Sequence, residues 1–192
     1  MGSMISWIAF KDMSVTEAAV AFGLTLSGQS GEVFDYDVSA TRSGDWSIVV
    51  FNDINLDLAA ETELARLSRR GDILVVHVNE TTMMQTSEQW RNGRQVWSVW
   101  HDAQIDPRHL EEEGNLPPAY DGIERRRMAE QDEEDAGDAS VDFVSEIPLD
   151  LAEDVTRFRY DRSDSEFFEL VPGGDSLPKK TSFFGSLKSM FR

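Results

Sequence analysis

The sequence predicts a single α+β domain: a mixed, mostly antiparallel sheet with helices on one face. Three observations predict it. Residues 82–102 read TMMQTSEQWRNGRQVWSVWHD, a hairpin pattern turning at Asn92-Gly93. A tight type I′ turn needs positive φ at both central residues, which Asn-Gly accepts. Several short runs of bulky residues alternate or are continuously apolar, as strands are. Between them lie helical spacings too short to build an all-α fold.

Residues 5–10 alternate bulky side chains and open as a strand. Ser14 or Thr16 can cap a helix whose inward residues are Val15, Ala18, Ala19 and Phe22, with Gly23 as its stop. Residues 25–32, with Gly28 and Gly31, read as a loop. Residues 32–40 alternate Val33, Phe34, Tyr36 and Val38 with acids and read as a half-buried strand. Ser43-Gly44-Asp45 turns the chain into residues 46–51, apolar on both faces and therefore central. Leu58, Ala60, Leu64 and Leu67 mark a second helix ended by Gly71. Residues 72–80 (DILVVHVNE) are the most strand-like run. The order to this point is the split β-α-β-β-α-β arrangement, which the hairpin extends by two antiparallel strands.

After Asp102 the chain turns polar. Pro117-Pro118 opens a helix to about residue 134, with Tyr120, Ile123 and Met128 inward; its acidic end reads as solvated linker. Residues 141–147 (VDFVSEI) read as a strand, 148–156 as a helix and 166–170 as a last short strand. The domain is bounded at residues 4–171, followed by a Pro/Gly linker at 172–180 and a tail at 181–192.

The charge is lopsided: 36 acids against 18 bases, a formal net of -18. Such a body repels nucleic-acid phosphates and anionic lipid. Its acidity serves solubility or docking to a basic protein. The chain has no cysteine, which removes disulfides and thiolate metal sites and fits a reducing cytoplasm. The opening residues carry no secretory-signal pattern, and no apolar run reaches membrane-spanning length.

The tail inverts the charge. Lys179, Lys180, Lys188 and Arg192 occur there without an acid beyond Asp175; setting these four cations aside takes -18 to -22 for the rest. Phe183, Phe184, Leu187, Met190 and Phe191 fall at i, i+1, i+4, i+7 and i+8, one apolar stripe on a helix, with Lys188 on the other side. So short a helix is marginal alone and folds when its stripe is covered. The acidic body, a partner groove or a membrane surface can each supply the cover. Residues 182–192 resemble in composition the short C-terminal membrane-targeting helices of some bacterial cytoskeletal anchors, which implies a membrane as one alternative.

Chemical motifs are sparse. There is no P-loop, no GxGxxG and no G-x-S-x-G elbow. His77 lies within an apolar strand and reads as a hydrogen-bonded core histidine. His101 and His109 bracket Asp102 and Asp106, a set of imidazoles and carboxylates that suits zinc, iron or nickel, but at a spacing that matches no ligand signature. The acidic runs at 111–113 and 132–135 lack the alternation of a calcium loop and read as solvated faces. Trp7, Trp46, Trp97 and Trp100 read as core. Trp90, beside the turn, reads as a surface anchor for a partner.

The hairpin phrase WRNGRQVWSVWHD, with SWIAFK near the start and the Gly-Leu break after the first helix, resembles a family of uncharacterised small bacterial proteins over residues 6–121. That resemblance implies no activity. The reading that fits the charge, the missing catalytic motifs and the tail is a non-enzymatic cytoplasmic protein-binding or regulatory protein. It needs no cofactor or metal and engages a protein partner through its acidic surface, Trp90 and the tail residues Phe183, Phe184, Leu187, Lys188, Met190 and Phe191. An immunity-type protein is one concrete form. The alternatives are a peripheral membrane adaptor and a small metal-dependent or hydrolytic enzyme using His101 and His109.

Overall fold

A computed structural model describes residues 2–137 and 141–174. Nine strands form one sheet in the order β2-β9-β3-β4-β1-β5-β6-β7-β8. They are β1 Met4–Lys11, β2 Leu24–Gly31, β3 Val38–Ser43, β4 Trp46–Phe51, β5 Ile73–Asn79, β6 Met84–Arg91, β7 Arg94–Asp102, β8 Glu111–Gly114 and β9 Phe167–Pro172. Every neighbouring pair is antiparallel. The α+β class therefore holds, and so does the split βαβ start: β4 lies between β1 and β3 and is antiparallel to both, so β1 and β3 run parallel, and β1 in turn separates the parallel strands β4 and β5.

The helices are α1 Val15–Val20, α2 Glu61–Leu67, α3 Tyr120–Asp135 and α4 Glu146–Thr156, with a 3-10 turn at Leu56–Ala59 ahead of α2. They do not share one face, and β1 shows why. Its residues from Ile5 to Phe10 are all buried, so both sides of the sheet centre need cover. Trp7, Ile48, Val50, Leu74, Val76 and Trp97 pack beneath α3, α4 and the segment through Phe158 and Tyr160. Ile8, Phe10, Val49, Ile73, Val75 and Trp90 pack beneath α1, the 3-10 turn and α2. Trp7 anchors the first core, meeting Phe158 edge-on at 5.7 Å between ring centroids and Tyr160 at the same distance.

Local chemistry sets the boundaries. Ser14 caps α1 through a reciprocal box: its Oγ accepts from the Glu17 amide, and Glu17 accepts from the Ser14 amide. The hairpin turns where the dipeptide required, with Asn92 at φ 52° and Gly93 at φ 78°. Residues 25–32, expected as a loop, fall almost entirely in the edge strand β2. Almost every side chain there is exposed, so no alternation betrays it; backbone pairing with β9 holds it, helped by Leu24 packed against the core under α1 and by Ser30 Oγ donating to Glu166 at 2.6 Å. Residues 32–37, expected as strand, form a turn. The Asp35 carboxylate accepts from the Glu32 amide at 2.7 Å, and Asn52 Nδ2 donates to the carbonyls of Val33 and Tyr36. Residues 141–147, also expected as strand, lead into α4. Asp142 accepts from the Ser145 amide at 3.0 Å, and Val144, Ile147 and Leu151 face the core at helical spacing.

Candidate functional site

The face carrying α2 is not fully covered. The 3-10 turn and α2 lie over β1, β5 and the turn end of the hairpin, leaving the far half of β6, β7 and β8 open. A cavity of about 250 Å³ sits at that margin, lined by Ala59, His77, Thr86, Glu88, Ser98 and Trp100. Cross-strand register places these side chains together: His77 opposes Thr86, Thr86 opposes Trp100 and Glu88 opposes Ser98. Glu111 opposes Trp100 and Glu113 opposes Ser98 on the edge strand β8, so both carboxylates belong to the same face, and both are exposed.

Glu88 is the electrostatic centre of this groove. Its Oε2 accepts from Trp90 Nε1 at 2.7 Å and from Gln95 Nε2 at 2.8 Å. Among the described residues, no Arg or Lys pairs with it. Burial pushes its carboxyl above the ordinary range, outweighing those two hydrogen bonds, and the nearby Glu61 pushes the same way. Thr86 Oγ1 is buried without a partner. The floor is Trp100, half-buried, whose ring meets His109 edge-on at 4.8 Å.

His77 closes the inner wall and is neutral: burial pushes it below the ordinary imidazole range, against a backbone hydrogen bond that pulls it up. Its protons are placed by its neighbours. The Asn55 amide donates to Ser6 Oγ at 3.1 Å, Ser6 Oγ donates to His77 Nδ1 at 2.9 Å, and His77 Nε2 donates to the Leu58 carbonyl at 3.3 Å. A serine-histidine contact of this kind resembles a nucleophile with its base. Ser6 is fully buried beneath the 3-10 turn, so no substrate reaches its Oγ; the chain of bonds ties that turn to the sheet.

The histidines after the hairpin are also engaged. His101 is fully buried, with Nδ1 2.7 Å from the His109 carbonyl and Nε2 2.9 Å from Asp142. His109 Nδ1 accepts the Asp102 amide at 3.0 Å, and its Nε2 lies 3.2 Å from Glu111. The two rings are brought close, at 6.3 Å between centroids, but their nitrogens point to different partners. Among the described residues, no group of three or more His, Asp or Glu is arranged to hold a metal ion.

The strongest ionic assembly lies on the opposite face. Asp150, 7% exposed, accepts from Arg126 at 2.6 Å, Arg127 at 2.7 Å and Arg159 at 2.9 Å. Arg159 also reaches Glu146 and Asp161, each at 2.7 Å, so its fork is fully used. This cluster clamps α3, α4 and the chain after α4 together and leaves little to offer a ligand.

Of the residues expected to meet a partner, Trp90 is placed differently. It is 6% exposed and packs with Ile73, Leu64 and Leu67. The tip of the hairpin does not project: the amides of Asn92 and Gly93 donate to Ser68 at the end of α2, which folds the turn end of β6 under that helix. Trp100, expected in the core, is the half-open ring instead. Phe183, Phe184, Leu187, Lys188, Met190 and Phe191 lie outside the described residues. Sequence reasoning missed Thr86, Glu88 and Ser98. Their trace is the run Gln85-Thr86-Ser87-Glu88-Gln89, five polar residues in a strand beside the apolar β5.

No family model matches the chain, and neither a curated protein nor a solved structure is similar to it. Among the described residues, no helix is long and apolar enough to cross a membrane.

Proposed function

We propose that this is a non-enzymatic cytoplasmic binding protein that engages a basic protein partner through its acidic surface, with the C-terminal tail as a second contact. A neutraliser of a basic toxin is one form of it. The observation that carries this reading is charge that the fold leaves uncompensated. The chain has twice as many acids as bases, and seven of its arginines are already in ion pairs: Arg66, Arg91, Arg108, Arg126, Arg127, Arg159 and Arg162. The surplus carboxylates attract a cationic surface and speed encounter with it. The absence of catalytic motifs in the sequence agrees with a binding role.

The test is binding to an immobilised basic peptide of ten residues across a salt series, with the full chain and with a chain ending at Gly174. Binding is expected to weaken steeply between low and physiological ionic strength. Ending the chain at Gly174 removes cations and leaves it more acidic, so a tail that acts as a second contact is read as weaker capture on truncation in spite of that gain in charge. Binding that ignores both salt and truncation overturns the reading. Flotation with anionic vesicles separates it from the membrane-adaptor alternative: wild-type protein that floats, and a Phe183→Asp, Phe184→Asp variant that does not, would favour the membrane.

A further inference from the structure

The groove over Trp100 has a more specific chemistry than general acidity. We propose that it receives one arginine side chain of the basic partner, with the guanidinium stacked on Trp100 and hydrogen-bonded to Glu88. This rests on the binding role above and names the side chain that the partner inserts.

Four features argue for a guanidinium. The indole ring lies on the open half of the sheet face, and a planar cation gains from the π-face of tryptophan. The Glu88 carboxylate is held in place by Trp90 and Gln95, both bonding Oε2, while Oε1 has no partner among the described residues. Buried polar groups are normally satisfied, so Thr86 Oγ1 stands as a second acceptor awaiting a donor. At the lip, Glu111 and Glu113 extend the negative field along the same face, which draws a cation in and repels a carboxylate or phosphate. The planar fork of arginine, with its five donors, serves a carboxylate and a hydroxyl together while stacking on the ring. An ammonium is a point charge and cannot do all three. A neutral ligand would leave Glu88 buried beside Glu61 without a counter-charge.

The probe is Nα-acetyl-argininamide, titrated into the full chain and followed by calorimetry and tryptophan fluorescence. Its neutral isostere, Nα-acetyl-citrullinamide, and the lysine analogue serve as comparators. The arginine probe is expected to bind at least tenfold tighter than the citrulline probe and to outbind the lysine probe. Trp100→Leu and Glu88→Gln are each expected to weaken it tenfold or more, with unchanged far-ultraviolet circular dichroism. Glu88→Gln is close to isosteric, so the test survives if Trp100→Leu fails to fold. Equal binding of arginine and citrulline probes, or arginine binding untouched by Glu88→Gln, overturns the proposal. The immobilised basic peptide separates the two levels. Salt-sensitive capture that persists in both variants leaves the binding function standing and removes the groove from it. Loss of capture by wild-type protein removes both.

Discussion

Replacing Asp150 with asparagine tests the ionic clamp between α3 and α4. The carboxylate is nearly buried and joins Arg127 and Arg159, whose side chains are 12% and 3% exposed. Removing one partner of a buried pair costs about 3–5 kcal/mol, because it strands the other charge. The lower end applies here. Arg159 keeps Glu146 and Asp161, and Arg127 keeps Glu130 at 2.8 Å. A loss of about 3 kcal/mol lowers the urea midpoint by about 1.5 M for a chain of this size and Tm by about 6–12 °C. Equilibrium urea unfolding by tryptophan fluorescence measures it. Arg126→Gln is the comparator: Arg126 is 54% exposed, and its loss costs under about 1 kcal/mol. The pH dependence has a definite sign. Burial pushes the Asp150 carboxyl up, but hydrogen bonding and attraction from Arg127, with Arg159 and Arg126, win and hold it below 3.8. Its contribution is therefore present above pH 3.8 and fades as pH falls through the folded value, so wild type and variant converge in acid. A variant within about 0.5 kcal/mol of wild type at pH 7, or a gap that does not narrow in acid, would refute the clamp.

Three further outcomes follow from the same reasoning. Glu88→Gln is expected to raise Tm at pH 7: the folded carboxyl lies above its ordinary 4.5, so its penalty is absent below pH 4.5 and fully present above the folded value. Thermal melts at pH 7 and pH 4 check the difference, which should vanish at the lower pH. Ser6→Ala strands His77 Nδ1 and the Asn55 amide and should cost about 1–3 kcal/mol in urea unfolding; a neutral result would mean the 3-10 turn does not depend on that chain of bonds. Trp90→Ala should cost about 3–5 kcal/mol as a core truncation, whereas a surface anchor would cost the free protein almost nothing.

The sequence disclosed elements wherever a local rule was strong. The Asn92-Gly93 turn, the Ser14 cap, the strand β1 and the doubly apolar strands β4 and β5 all stand where their residues put them. It failed where pairing is carried mainly by backbone. Residues 24–31 have no buried face to write into the sequence, and β8 is three glutamates and a glycine on the opposite edge. Residues 141–147 alternate as a strand would, but Asp142 offers the Ser145 amide a local bond, and helical spacing with Leu151 then prevails. Trp90 and Trp100 exchanged their expected places for a non-local reason. Which end of the hairpin is roofed depends on where α2 lands, and no periodicity within the hairpin records that. The groove was illegible for the same reason: His77, Glu88, Ser98 and Trp100 come from three strands and meet only through register.

The polar run in β6 sharpens the case for the open half of the sheet. On the face beneath α4, Gln85 and Ser87 are buried, and Gln85 Oε1 and Ser87 Oγ have no partner. On the other face, Thr86 Oγ1 is in the same condition and Glu88 carries a disfavoured charge. A valine or isoleucine at any of these positions would suit a strand flanked by β5 and β7 and remove a polar group that costs about 1–3 kcal/mol to bury unpaired. Beneath α4, Ser87 lies inside the packed core, and Gln85 lines a cavity of about 450 Å³ with Glu80, Glu146, Arg159 and Asp161. On the opposite face Thr86 and Glu88 converge on a cavity with an aromatic floor and an acidic lip. The cavity beside Gln85 already holds the Arg159 guanidinium among its carboxylates, whereas the one over Trp100 has the Glu88 carboxylate and no arginine among its lining residues. A donor-rich cation there satisfies what the fold leaves unsatisfied, which places the gain from keeping Thr86 and Glu88 in binding rather than in stability.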